Sequence, residues 1–243
     1  MAIKHLRVDP THKYKLAQVY RELAILEFLS KAIKQNHLPP LFTELVDVFV
    51  PKQEIETKKV HNVFIVMKAS KANLRTLISG IELSDKDFKG ILYNILCAIN
   101  YLHSANIIHR DLKPENILVN QFGEFSICDY GMARTLPESC QGKHNGNSMK
   151  VRKSVMTDAI KADPSLASSR SVKQNISRKL KKVQALNKNP KRSLSPHVST
   201  RWYRAPEVCL VERIYDQASD IWALGCVFLE LFSCHQSVRI PEK

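Results

Sequence analysis

Apolar and polar residues alternate through the opening MAIKHLRV, a period of two that predicts a short strand. Thr11 to Lys34 contains neither glycine nor proline, and Leu16, Val19, Leu23, Leu26 and Ile33 trace one face of a predicted helix. Leu41 to Val50 and Val63 to Met67 are apolar runs of strand length, separated by a charged turn. Ser84, followed by Asp87, has the pattern of a capping box and marks the start of a second helix. Phe88, Ile91, Leu92, Ile95, Leu96, Ile99 and Leu102 then recur at helical spacing. Ile117–Val119 and Phe125–Cys128 predict a hairpin turning through Asn120 to Gly123, and Ala218 to Phe232 predicts a buried helix. Strands and one helix come first, and a mostly helical part follows. There is no internal repeat.

This order stops between Thr135 and His197, which is rich in Lys, Ser, Asn and Gln and has no sustained apolar period. Structureless loops of this length are uncommon inside a compact domain, so a disordered insertion is expected, with Lys179 to Leu186 able to form a short basic helix. The segment holds 14 Lys or Arg against 3 Asp or Glu, so most of the chain's net charge of +14 sits in it. A run of charge is more often a solvated tail than a nucleic-acid arm, and the segment lacks the interleaved aromatics that stack on bases. Nucleic acid is therefore not an expected partner. Six cysteines show neither a CxxC pair nor zinc-like spacing with histidine, which fits a reducing compartment. No run is long enough for a signal peptide or a bilayer span, so an intracellular protein without membrane attachment is expected. The basic stretches RKLKK and KNPKR leave a nuclear share open beside the cytoplasm.

The chemistry concentrates in IIHRDLKPENILVN, residues 107–120. Between a long helix and a hairpin it sets an aspartate, a lysine and an asparagine on one tight loop. Asp111 can accept a hydroxyl proton, Lys113 can neutralise a transferring phosphate, and Asn116 can offer a carbonyl oxygen to a hard cation. Asp129 follows in CDYG at the end of the hairpin. A carboxylate there suits Mg²⁺, which usually takes one or two carboxylates beside substrate phosphates.

His-Arg-Asp-x-x-x-x-Asn followed by Asp-aromatic-Gly resembles the catalytic loop and metal motif of the protein kinases. FIVMKASKANLRTLI, VSTRWYRAPE and YDQASDIWALGCVFLELF extend the likeness, which is closest to the proline-directed mitogen-activated protein kinases. The resemblance implies an α+β, two-lobed kinase-like fold and a serine/threonine kinase using ATP and Mg²⁺. By the same likeness Asp111 orients the substrate hydroxyl, Lys113 and Thr200 assist, and Asn116 and Asp129 hold the metal. MAIK resembles the strand whose lysine contacts the α- and β-phosphates, which makes Lys4 an active-site residue paired with Glu22. Ala2 and Leu118 would sandwich the adenine, with Met67 behind it and the Lys68 carbonyl and Ser70 amide on its edge. Arg204 matches the arginine linked to proline after the target residue. Asp220 would hold the catalytic-loop backbone. Arg110 would receive a regulatory phosphate, for which Ser195, between Arg192 and Pro196, is the expected site. Protein substrates and an upstream kinase are the implied partners.

The pattern also breaks. The first glycine is Gly80, so the glycine-rich phosphate loop and its two strands are not matched, and the first strand is expected to present a bare edge. The last helices of the large lobe, the arginine partner of Glu207 and the acidic docking site are likewise unmatched, leaving Glu207 as an expected unpaired buried carboxylate. Ser195, Pro196 and His197 stand where Thr-x-Tyr is usual, Asn73 replaces an aspartate near the ribose, and Tyr130 brings a hydroxyl that needs a partner. The expected organisation is a partial small lobe (1–70), a large lobe with catalytic loop and metal motif (71–134), the basic insertion (135–197) and a substrate segment with its anchoring helix (198–243). Weak binding of Mg·ATP, with slow transfer or none, is expected of such a chain. The alternative is a catalytically inactive, truncated kinase-like scaffold acting through the insertion.

Overall fold

Alternation in the opening residues produces strand β1 (Ala2–Arg7), which pairs antiparallel with β3 (Asn62–Met67), itself paired antiparallel with β2 (Leu45–Phe49). The sheet order β1-β3-β2 makes β1 an edge, as expected. The computed structural model describes residues 1–9, 11–57, 59–80, 83–136, 178, 202–210 and 216–234. Ser195 and Thr200 lie outside the described residues, as does the basic insertion apart from residues 135, 136 and 178.

The glycine-free stretch forms α1 (Lys13–Asn36), a 24-residue helix. It buries Glu22, Ile25, Leu26 and Leu29 and ends at His37 in the left-handed conformation, φ 49°. Of the predicted face, Leu26 is buried but Leu16 is 39% exposed; Ile25 and Leu29 supply more of the core. Leu16 sits in the largely exposed first two turns of α1, with Tyr14 and Tyr20, so spacing alone misjudged that end of the helix. The strand expected over Leu41–Val50 starts only at Leu45. Before it, Phe42 bridges Ile127 in parallel, Thr43 N–H donates to the Ile127 carbonyl (3.0 Å), and Ile127 N–H donates to the Leu41 carbonyl (2.9 Å). Leu41 and Phe42 are each 2% exposed, so this segment pins the first sheet to the elements that follow instead of lengthening β2.

A short helix α2 (Lys52–Glu56) joins β2 to β3, and β4 (Ala72–Asn73) leads into α3 (Leu74–Ile78). The long helix α4 (Asp85–Ser104) starts at the predicted cap, where the Asp87 amide donates to Ser84 Oγ. Its face of Ile91, Ile95, Ile99 and Leu102 is at most 1% exposed and forms the centre of the core. Beyond it come β5 (Ile107–Ile108), a 3₁₀ turn (Pro114–Asn116), β6 (Ile117–Val119), β7 (Phe125–Ile127), a second 3₁₀ turn (Tyr130–Met132) and β8 (Arg134–Thr135). The hairpin turns at Gly123, φ 77°, and joins β4 in a sheet of order β4-β6-β7. Helices α5 (Pro206–Leu210) and α6 (Gln217–Ser233) complete the described elements. Asp216 caps α6 by accepting from the Ala218 and Ser219 amides.

Glu207 in α5 is exposed, where water screens its charge, so the expected buried carboxylate is not found. Among the described residues no helix is long and apolar enough to cross a membrane, and Cys97, Cys128, Cys209, Cys226 and Cys234 are free thiols.

The Tyr130 hydroxyl donates to the Ile127 carbonyl at 2.9 Å, so the extra group has its partner. That carbonyl also accepts from Thr43 N–H (3.0 Å) and Thr43 Oγ1 (3.2 Å), so it stays satisfied without the phenol. Tyr130→Phe should therefore cost less than about 1 kcal/mol. Ile95→Ala, which empties a core position, should cost about 2–5 kcal/mol. Urea unfolding of the two variants tests the ranking; a larger loss from Tyr130→Phe would refute it.

Candidate active site

Helix α6 starts the site. Its first-turn residue Asp220 is 1% exposed, and its carboxylate receives three donors. The His109 amide (2.8 Å) and His103 Nε2 (3.0 Å) reach Oδ2, and the Arg110 amide (2.8 Å) reaches Oδ1. This clamp holds the loop after β5 in its unusual path, with Arg110 in the left-handed region at φ 70°. His109 is fully buried. Its Nδ1 accepts from the Asp111 amide (3.3 Å), which assigns the proton to Nε2, and Nε2 donates to the Cys128 carbonyl at 2.9 Å. The Cys128 amide in turn donates to the Asn116 carbonyl at 3.0 Å. One side-chain and one backbone link therefore draw the end of β7, and Asp129 after it, against this loop.

On that loop Lys113 Nζ lies 2.7 Å from Asp111 Oδ2. Asn116 Nδ2 donates to the Asp111 carbonyl (2.8 Å) and to its Oδ2 (3.1 Å). Both donors of the asparagine amide are thus spent on Asp111, and among the described residues its Oδ1 is uncommitted. That is the atom a hard cation takes. Asp129, φ 64°, carries the second oxygen donor set. Among the described residues no group of three or more His, Cys, Asp or Glu could hold a metal. One carboxylate and one amide oxygen fit a Mg²⁺ that takes its remaining ligands from water and phosphates.

Lys4 joins this assembly from β1. Its Nζ lies 2.6 Å from Glu22 Oε1 of α1 and 2.8 Å from Asp129 Oδ1. Burial works against the ammonium, but Asp129 and Glu22 outweigh it and hold Lys4 above its ordinary value. For Asp129 burial would raise the carboxyl, yet Lys4 dominates and keeps it below the usual range. Glu22 goes the other way: it is 3% exposed, and burial pushes it up more than Lys4 draws it back. Gly131 makes this approach possible, because a Cβ there would meet Glu22 Oε2 at 3.3 Å. The thiol of Cys128, next to Asp129, is pushed up to about 12 by burial, so it is no nucleophile here.

Of the predicted adenine residues, Ala2 and Met67 meet where β1 pairs with the end of β3. Ala2 is the cross-strand partner of Met67, and Leu118 is half-buried on β6. The Lys68 amide is used on the Glu44 carbonyl (3.0 Å), while among the described residues the Lys68 carbonyl and the Ser70 amide take no hydrogen bond. Asn73 acts as a cap, its Oδ1 accepting from Thr76 N–H (3.0 Å) and Thr76 Oγ1 (2.9 Å). Arg204 is exposed and lines a small cleft with Asp111, Leu112, Tyr203 and Ala205.

Two residues that the motifs did not point to stand beside Arg110. Arg21, next to Glu22 on α1, and Arg134, on β8, form with it a nest of three guanidinium groups. Arg21 Nε and Nη2 are buried without a hydrogen-bond partner among the described residues. Burial, then the charges of Arg134 and Arg110, lower its basicity against a smaller opposing effect of Tyr14. Arg21 adjoins Glu22 in sequence and Arg110 adjoins Asp111, but Arg134 adjoins no motif residue, and their convergence from three elements is not visible in spacing.

A protein-kinase-domain family model matches residues 1–164 and 176–240. The chain is 33% identical over 172 residues to mitogen-activated protein kinase spm1 of Schizosaccharomyces pombe, covering 70% of this chain and 30% of that protein. It is 30% identical over 190 residues to mitogen-activated protein kinase MPS1 of Pyricularia oryzae, covering 78% and 34%. With mitogen-activated protein kinase 14 of Xenopus laevis it shares 30% identity over 216 residues, 89% of this chain and 42% of that one. The chain thus spans about a third of the length of the curated relatives it matches.

Asp220→Asn keeps the shape but puts a donor where an acceptor is needed, which leaves one buried amide or imidazole unmatched. It should lower stability by about 1–3 kcal/mol and speed amide exchange at residues 109 and 110; unchanged protection there would disprove the clamp. The Lys4 interactions add stability that is complete below its ordinary value of 10.5 and is lost as pH rises through the raised folded value. The stability gap between wild type and Lys4→Met should hold between about pH 7 and about pH 9 and shrink toward about pH 12. A gap that stays constant to the alkaline end would contradict the pairing.

Proposed function

Because the chain belongs to the protein kinase family, we propose that it transfers the γ-phosphoryl group of ATP to serine or threonine in proteins, preferring a following proline. The observation that carries this reading is the convergence of Asp111, Lys113 and Asn116 on one clamped loop, with the Lys4–Glu22–Asp129 set drawn against it. When bound, Mg²⁺·ATP supplies the phosphoryl group and spreads the charge that develops on its oxygens.

The remaining work is positioning. Lys4 Nζ meets the α- and β-phosphates, with Glu22 keeping it aimed. Asn116 Oδ1 and Asp129 hold the metal. Asp111 accepts from the acceptor hydroxyl and points its oxygen at the γ-phosphorus. As that oxygen–phosphorus bond forms, the bond to ADP breaks and the hydroxyl proton passes toward Asp111. Lys113, already 2.7 Å from Asp111, steadies the phosphoryl oxygens, and Thr200 completes the acceptor side. Ala2 and Leu118 clasp the adenine in front of Met67, and the Lys68 carbonyl and Ser70 amide read its edge. Arg204, in the cleft beside Asp111, receives the residue after the target. A phosphate on Ser195, placed by an upstream kinase, finds its counter-charge in Arg110, Arg21 and Arg134. The unsatisfied nitrogens of Arg21 support that assignment.

Lys4→Met and Asp111→Asn should each reduce phosphate transfer from Mg·ATP to a Ser-Pro or Thr-Pro peptide by at least about a hundredfold, since alignment errors of about 1 Å already cost that much. Nucleotide binding should weaken in Lys4→Met and persist in Asp111→Asn. Transfer by the Asp111→Asn protein at the wild-type rate would reject the proposal.

A further inference from the structure

Four elements meet at a half-buried polar cluster that none of the roles above uses. Arg75 of α3 donates Nε to Glu115 Oε1 at 2.9 Å, Nη1 to Glu230 Oε2 and Nη2 to Tyr203 Oη. The Tyr203 hydroxyl donates onward to Glu230 Oε1. A single guanidinium thus ties α3 to the catalytic loop, to the segment before α5 and to α6.

Its neighbours in sequence make the location informative. Glu115 immediately precedes Asn116, whose amide holds Asp111. Tyr203 immediately precedes Arg204, and both line the cleft that contains Asp111. We propose that Arg75 is a positioning residue that sets the catalytic loop against the acceptor cleft. The inference rests on the reading of that cleft as the acceptor side of phosphoryl transfer.

Charge and geometry support this role over a purely structural one. Arg75, Glu115 and Glu230 keep 33%, 31% and 34% of their side-chain surface exposed, so solvent screens part of what the pairs contribute to stability. Their value lies in direction. The planar guanidinium serves three acceptors at fixed angles, which the point charge of a lysine does not reproduce. Glu115 Oε2 is buried without a hydrogen-bond partner among the described residues, so the carboxylate depends on Arg75 through its other oxygen. Burial opposes the charge of Arg75, yet its bonds to Glu230 and Glu115 prevail and raise its basicity. Without that cation, an under-compensated carboxylate would sit one residue from Asn116 and would displace the loop.

The test compares the full chain with Arg75→Met, Arg75→Lys, Tyr203→Phe and the double variant Arg75→Met/Glu115→Gln. Transfer to a Ser-Pro peptide should fall about 10–100-fold in kcat for Arg75→Met, with a higher peptide KM and an ATP KM within about twofold of wild type. Arg75→Lys should be intermediate, and adding Glu115→Gln should recover about tenfold by removing the stranded charge. Deuterium exchange in the absence of substrate should quicken at residues 109–116 and 202–205 together. Faster exchange confined to residues 72–78, or a double variant no better than Arg75→Met, would overturn the proposal. Should Arg75→Met fail to fold, Tyr203→Phe carries the exchange measurement, because it removes only one hydroxyl. A wild-type chain without transfer would defeat the functional reading, while the exchange pattern still decides the role of Arg75.

Discussion

The buried carboxylate of Asp220 is the constraint on which the rest of the site depends. A charge at 1% exposure is costly unless it is fully solvated by protein donors, and here two amides and an imidazole supply them. Its place in the first turn of α6 adds the favourable end of the helix dipole. In exchange, the backbone at Arg110 is held in a conformation that a non-glycine residue seldom adopts. From that strained corner Asp111 is aimed one way and His109 the other. His109 then reaches the Cys128 carbonyl and brings the metal motif to the loop. One carboxylate orients the loop through two backbone amides, and the buried His109 ring carries the link on to Cys128.

Helix α1 serves two electrostatic environments at once. Glu22 draws Lys4 and Asp129 together on one side, and the adjacent Arg21 joins Arg110 and Arg134 on another. Consecutive helical residues point in directions about 100° apart, so a small rotation of α1 moves both sets together. Gly131 packs against Glu22, where a Cβ would meet Oε2 at 3.3 Å, a tight contact.

Helix α6 is apolar on more sides than the described residues cover: Ile221, Trp222, Leu229 and Phe232 are exposed. The functional loops do not depend on that surface, because their contacts come from the opposite side of α6, where Asp220 and Leu224 are buried.

Much was legible in the chain itself. Period-two and helical spacing predicted β1, α1, α4, the β6–β7 hairpin and α6, because these elements bury one face each and the pattern records which. The ordered motifs singled out Lys4, Asp111, Asn116 and Asp129, and the fold brings Lys4 to Asp129 and Asn116 to Asp111. Local reading failed where a contact crosses elements. Leu41 to Thr43 looks like strand and pairs with Ile127, an arrangement that depends on a residue more than eighty positions away. The partner of the Tyr130 hydroxyl, the capping role of Asn73, the arginine nest and the Arg75 cluster belong to the same class. A sequence states which charges and donors exist and how they repeat along an axis; which of them meet is decided when separate elements pack and every buried polar group must find a partner.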